Sequence, residues 1–144
     1  NAPRSDGQPW SIGVLDPFHP DSYFETLLLE HGAVATSGTD FHRWKQGKLW
    51  DHHIIDPRTG LSANTDLLSV TVIAPDAIRA EAAAKAILIL GSSAGMDWLE
   101  ADRDLAGLIV LQFGEVHYSQ RMAAYLWSKK CPTIDLMSQT TILH

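Results

Sequence analysis

Between Leu67 and Gly91 the sequence changes its period once, and that change does most to limit the fold. Leu67–Ala74 (LLSVTVIA) is a strand-length run rich in β-branched residues. Pro75-Asp76 ends it, and Asp76 is suited to cap a helix. Ala77–Leu90 is alanine-rich, holds no glycine or proline and closes on Gly91, which predicts an α-helix.

The flanking segments favour short strands. Trp10–Leu15 (WSIGVL) predicts a strand stopped by Asp16-Pro17, and Phe18–Phe24, with Pro20, an irregular connection. Glu25–Glu30 predicts a second strand ending at His31-Gly32. Ala33–Thr36 is a short apolar run leading into a turn, Thr36-Ser37-Gly38-Thr39. Phe41–Trp50 predicts a hairpin, with Gln46-Gly47 at the turn between FHRWK and KLWDHHII. Leu61–Asp66 is a polar connector. After the helix, Ser92–Ala94 can cap a shorter helix over Gly95–Ala101, Leu105–Phe113 and Val116–Tyr118 pair about Gly114, and Met122–Trp127 makes a short helix. The tail from Ser128 is polar and without periodicity. These elements predict one α+β domain over residues 1–144, a largely antiparallel sheet with two or three helices packed on it.

Composition narrows the function. The 144 residues can bury a sizeable core. A net charge of -6, with only Lys129-Lys130 adjacent among the basic residues, excludes a general binder of nucleic acid or anionic membranes. Cys131 is the single cysteine, so no internal disulfide or cysteine metal cluster can form. No apolar run approaches the roughly 18 residues of a membrane span.

Chemistry-bearing residues concentrate in Trp50–Gly60, WDHHIIDPRTG. Strand alternation puts Asp51 and His53 on one side and His52 and Ile54 on the other. At most one of the two histidines therefore faces a given site, where an imidazole suits a general base. Asp56-Pro57-Arg58-Thr59-Gly60 reads as a tight turn. Solvated histidines at a strand end fit the same residues. The hydroxyl-rich turn at Thr36–Thr39 can wrap a phosphate with backbone amides, as can any such turn by chance. Glu81 and Lys85 stand four apart on the predicted helix, the spacing of a surface ion pair. On the residues alone, a binding module, a metal hydrolase and a transferase all fit.

Taken together, WSIGVLDP, AVATSGTDF, HHIIDPRTG and SVTVIAPDAIRAEAAAKAILILG resemble, in order and spacing, the carboxy-terminal half of the FAD:protein FMN transferases. These form the ApbE or thiamine-biosynthesis lipoprotein family. The resemblance runs from about Trp10 to about Gly114 and implies half of a larger flavin-transferase fold. It also implies a magnesium-dependent enzyme that cleaves FAD, moves FMN to a Thr or Ser hydroxyl of a partner flavoprotein and releases AMP. By that resemblance His53 is the catalytic base, and the backbone of Ile54 touches the flavin nucleotide. Thr36, Ser37 and Gly38 line the same cleft, with Glu81 and Lys85 at its phosphate–metal end.

Two departures from the family pattern matter. The family carries Asp and Thr as magnesium ligands where this chain has Glu81 and Lys85, and Ala84 offers no oxygen. Glu81 remains a candidate metal ligand, whereas Lys85 is expected to weaken or replace one magnesium site and to contact the phosphates. The family's amino-terminal half, which carries most FAD-binding residues, is absent from these residues. The sequence reads as starting mid-protein, so that half is expected in the same or another chain, and edge pairing into a homodimer is a further expectation. Family members are often exported lipoproteins, which leaves the compartment open between extracytoplasmic and cytoplasmic. The rival readings are a flavin- or nucleotide-binding module without transfer activity and an interaction subunit.

Overall fold

Leu67–Ala74 forms a strand in which every residue is buried, as happens when both faces of a sheet are covered. The computed structural model describes residues 4–39, 43–46, 49–127 and 134–135. In chain order the strands are β1 (Trp10–Leu15), β2 (Tyr23–Leu29), β3 (Ala33–Gly38), β4 (Arg43–Gln46), β5 (Leu49–His52) and β6 (Ile55–Asp56). There follow β7 (Leu61–Ser62), β8 (Leu67–Ala74), β9 (Ala106–Leu111), β10 (Glu115–Tyr118) and β11 (Ile134–Asp135). Helices α1 (Ala77–Leu90) and α2 (Ser92–Ala101) separate β8 from β9, and Gln120–Ala124 is a 3₁₀ helix.

The main sheet has the order β11-β10-β9-β8-β3, and its strand pairs are antiparallel. Side-chain alternation sorts β8 into two cores. Val70, Val72 and Ala74 pack with Ala80, Ala83, Ala84, Ile87 and Leu88 of α1. Ile73 packs on the other face with Val14, Leu27 and Leu29 of the β1–β2 hairpin. The fold is α+β as expected: a largely antiparallel sheet carrying two α-helices. Among the described residues no helix is long and apolar enough to cross a membrane.

Helix α1 starts and stops where the sequence predicts. The Asp76 carboxylate accepts the amide of Arg79 at 2.9 Å, and Gly91, at φ 86°, closes the last turn onto the Ile87 carbonyl. Helix α2 begins at Ser92, three residues before the predicted start, because its cap comes from elsewhere. Asp66 accepts the Ser92 amide at 3.0 Å and also its hydroxyl. Gly95 belongs inside the helix, where a Cβ would come within 2.6 Å of Ile87. At the other end of α2, Arg121 donates to the carbonyls of Glu100 at 2.9 Å, Asp102 at 3.0 Å and Leu105 at 2.9 Å. It thereby satisfies acceptors that a helix end leaves open.

Other boundaries differ from the reading of the sequence. β2 begins at Tyr23, pairing with Leu15 across a bulge after Val14. β3 does not turn at Thr36 but continues through Gly38, held by its register with β8. β5 stops at His52 and the chain re-forms a two-residue ribbon, β6 with β7, around the DPRTG turn. β4 and β5 make the predicted hairpin; Phe41, His42 and Gly47 lie outside the described residues. β9 ends at Leu111 instead of Phe113, and the short helix expected over Met122–Trp127 is a 3₁₀ helix that begins and ends earlier, at Gln120–Ala124. From the tail, Ile134 and Asp135 add a short strand beside β10.

Candidate functional site

β3 runs beside β8 with Thr36 opposite Thr71, Ser37 opposite Val70 and Gly38 opposite Ser69. This overturns the phosphate-wrapping turn. A nest needs consecutive amides pointing to one concavity, whereas a strand points successive amides to opposite edges. The next amide, Thr39, is already committed to the Leu68 carbonyl at 2.9 Å. The side chains divide as well. Ala33 and Ala35 pack toward α1 and Val34 toward the hairpin, so alternation sends Ser37 to the helix face and Thr36 to the other. Thr36 Oγ1 lies 2.9 Å from Thr71 Oγ1, a cross-strand hydroxyl pair.

Past β5 the burial alternates residue by residue: His52 buried, His53 exposed, Ile54 buried, Ile55 exposed, Asp56 buried. His52 is 8% exposed. Its Nδ1 accepts the Ile54 amide at 3.2 Å, and its Nε2 lies 2.9 Å from the Ala63 carbonyl. The carbonyl can only accept, so the ring carries its proton on Nε2. The Ser62 hydroxyl donates to the His52 carbonyl at 2.9 Å, and the Ala63 amide to the Ile54 carbonyl at 2.9 Å. His52 is thus a staple between the strand end and the following connector. The reading of both histidines as solvated strand-end residues therefore fails for His52. His53 projects from the opposite side to solvent. Ile54 keeps its side chain in the core beside Ala84 and Ile87, and its backbone amide is used by His52.

Asp56 organises the turn that follows. It accepts the Arg58 amide at 2.9 Å and the Arg58 side chain through Nε at 2.9 Å and Nη2 at 2.8 Å. Gly60, at φ 73°, donates its amide to the Asp56 carbonyl at 2.8 Å. Arg58 Nη2 also reaches the Ile89 carbonyl at 3.4 Å and links the turn to the last turn of α1.

The inward face of α1 is Ala80, Ala83, Ala84, Ile87 and Leu88; Glu81 and Lys85 lie beside it on the outward side. Their side chains form an i,i+4 ion pair and are 54% and 43% exposed, as the spacing predicts. Among the described residues no three His, Cys, Asp or Glu side chains gather as a metal site would require.

Three carboxylates in this framework are depressed in the folded state. Hydrogen bonds from the Arg58 side chain and amide hold Asp56 below the ordinary 3.8. Burial pulls Asp66 upward, but the hydroxyl and amide of Ser92 outweigh it and leave the carboxyl below 3.8. The Asp104 amide, then Arg79, does the same for Asp102 against the pull of burial. Their stabilisation is therefore complete above the unfolded value and is lost as pH falls through the lower folded values. Melting temperature is expected to hold from neutrality to about pH 4.5 and to fall below that. Asp66→Asn should soften the fall, and a melting temperature rising between about pH 4 and pH 2.5 would contradict it.

Residues 2–109 match the model of the ApbE family. The chain belongs to that family. The FAD:protein FMN transferase of Salmonella typhimurium is 28% identical over 113 residues, which are 78% of this chain and 32% of that protein. That of Klebsiella pneumoniae is 34% identical over 103 residues, 70% of this chain and 32% of the relative. Among solved structures, the ApbE protein of Thermotoga maritima superposes with a TM-score of 0.74 at 34% identity, covering 86% of this chain and 40% of that one. The flavin transferase ApbE from Vibrio cholerae gives 0.71 at 28% identity, covering 88% and 40%. This ApbE-family chain thus spans about a third of these curated relatives.

Within the ApbE-family chain, DHHIIDPRTG and α1 come together through Ile54, Ala84 and the Arg58–Ile89 contact. Ser37 faces the same helix layer, whereas Thr36 turns away from it. Sequence reasoning missed the staple role of His52 and the cap from Asp66. The first depends on Ala63, which reaches His52 only after the DPRTG turn reverses the chain. No local signal announces the second.

Proposed function

We propose that this chain is the carboxy-terminal part of an FAD:protein FMN transferase that acts together with an amino-terminal part. The supporting observation is His53. It stands exposed on a rigid frame, behind it the His52 staple and beyond it the Asp56–Arg58 turn, within the stretch that matches the family. In this reading the hydroxyl oxygen of an acceptor Thr or Ser attacks the FMN phosphorus of FAD. The bond from that phosphorus to the bridging oxygen breaks, AMP leaves with the oxygen, and the acceptor's proton passes to His53. Ser37, Gly38 and the backbone of Ile54 line the nucleotide cleft. Thr36 contributes only from the far face of β3. The acceptor is a flavoprotein.

Magnesium, implied by the family resemblance, neutralises phosphate charge in such chemistry. The donors that α1 offers do not fit it: Glu81 is already paired with Lys85, and Ala84 is a buried methyl. No step above runs through the metal.

Incubation of the protein with FAD and an acceptor flavoprotein, with and without the amino-terminal half of a relative, tests the reading by intact mass. Covalent FMN on the acceptor is expected only when both parts are present. Full transfer by this chain alone refutes the need for a second part, and no transfer under any condition favours a flavin-binding module.

A further inference from the structure

The geometry points to Lys85 as a built-in cation for the diphosphate of the nucleotide, and to α1 as a helix that holds no magnesium. This rests on the transferase reading above. Glu81 is the only side chain of α1 that carries oxygen, since the rest of AIRAEAAAKAILIL is apolar or cationic. Magnesium requires near-octahedral oxygen coordination at close range. One carboxylate is a poor start, and this one is engaged by the Lys85 ammonium. A protonated amine on the would-be ligand also repels a dication.

The same arrangement suits a diphosphate. An ammonium is a compact point charge with three donors, and Glu81 occupies one of them. Exposed i,i+4 pairs are weak, so a doubly charged diphosphate can draw the ammonium toward itself. The Ile89 carbonyl takes Arg58 from the DPRTG turn. Lys85 therefore lies one helical turn from the residue that ties α1 to the DPRTG turn. The alanines at 82 and 86 leave that side of the helix low enough for close approach. Lysine thus puts positive charge where a metal would need oxygen donors that this helix lacks.

The test uses the full protein, with its amino-terminal part supplied where that is a separate polypeptide. FAD and riboflavin binding are measured by titration in EDTA and in magnesium for the parent, Lys85→Thr and Lys85→Arg. The parent is expected to bind FAD within about twofold in the two media. Lys85→Thr should bind FAD about tenfold more weakly in EDTA, and Lys85→Arg should stay near the parent. Riboflavin, which has no phosphate, should not distinguish the three. A manganese titration followed by electron paramagnetic resonance adds a readout independent of the nucleotide, in which the parent and Glu81→Gln should match. FAD binding that requires magnesium, or manganese affinity lost in Glu81→Gln, overturns the inference and leaves the transferase reading standing. No FAD binding in either medium overturns the transferase reading, and the inference with it.

Discussion

Replacing His53 with alanine is expected, on the transferase reading proposed above, to lower FMN transfer by about 10²- to 10⁴-fold, as loss of a positioned general base does, while the fold stays intact. The two parts of this expectation have separate causes. His53 is exposed and outside both core clusters, and surface substitutions away from such features usually change stability by less than about 0.5 kcal/mol. Its backbone neighbours are fixed without it, through His52 and the Ala63 amide. The measurement pairs a thermal melt with initial rates of covalent FMN transfer in the complete enzyme. Imidazole added to His53→Ala should restore part of the rate, because a diffusible base can stand in for a missing one. Activity within about threefold of the parent would remove His53 from the chemistry, and an unfolded variant would mean that its role is structural.

What could be read from the sequence follows how local each cause is. The β8–α1 unit was legible because its signals sit on its own residues: β-branched side chains, the Asp76 cap and the closing Gly91. The Glu81–Lys85 pair was legible for the same reason, since four residues of helix fix its geometry. The start of α2 was not, because its cap is Asp66, 26 residues earlier in the chain. β3 misled in a different way. Ser37-Gly38 has the composition of a turn, but pairing with Val70 and Ser69 of β8 keeps it extended. Tertiary pairing overrode local preference, and the amide nest read from composition disappeared with it. In DHHIIDPRTG, parity separated the two histidines correctly. It could not say what the buried one bonds to, because Ala63 approaches only after the DPRTG turn reverses the chain.

That bond makes His52→Ala the most damaging substitution expected for stability at the site. Its two ring nitrogens serve two backbone groups, the Ile54 amide and the Ala63 carbonyl. A buried polar group left without its partner costs about 1–3 kcal/mol, so losing both, with some water entry, is expected to cost about 2–4 kcal/mol. A denaturation midpoint measured against the parent gives the value. Transfer should fall as well, because the backbone that carries His53 starts at the staple, whereas His53→Ala should leave the midpoint alone. Two conservative variants separate hydrogen bonding from volume. Asparagine can offer its carbonyl oxygen to the Ile54 amide, and glutamine can extend its amide toward Ala63, so each should recover part of the loss. Leucine, which nearly fills the volume but makes neither bond, should recover little. Should leucine match the parent while asparagine and glutamine remain as weak as alanine, His52 stabilises the site by packing alone and the staple has no energetic meaning.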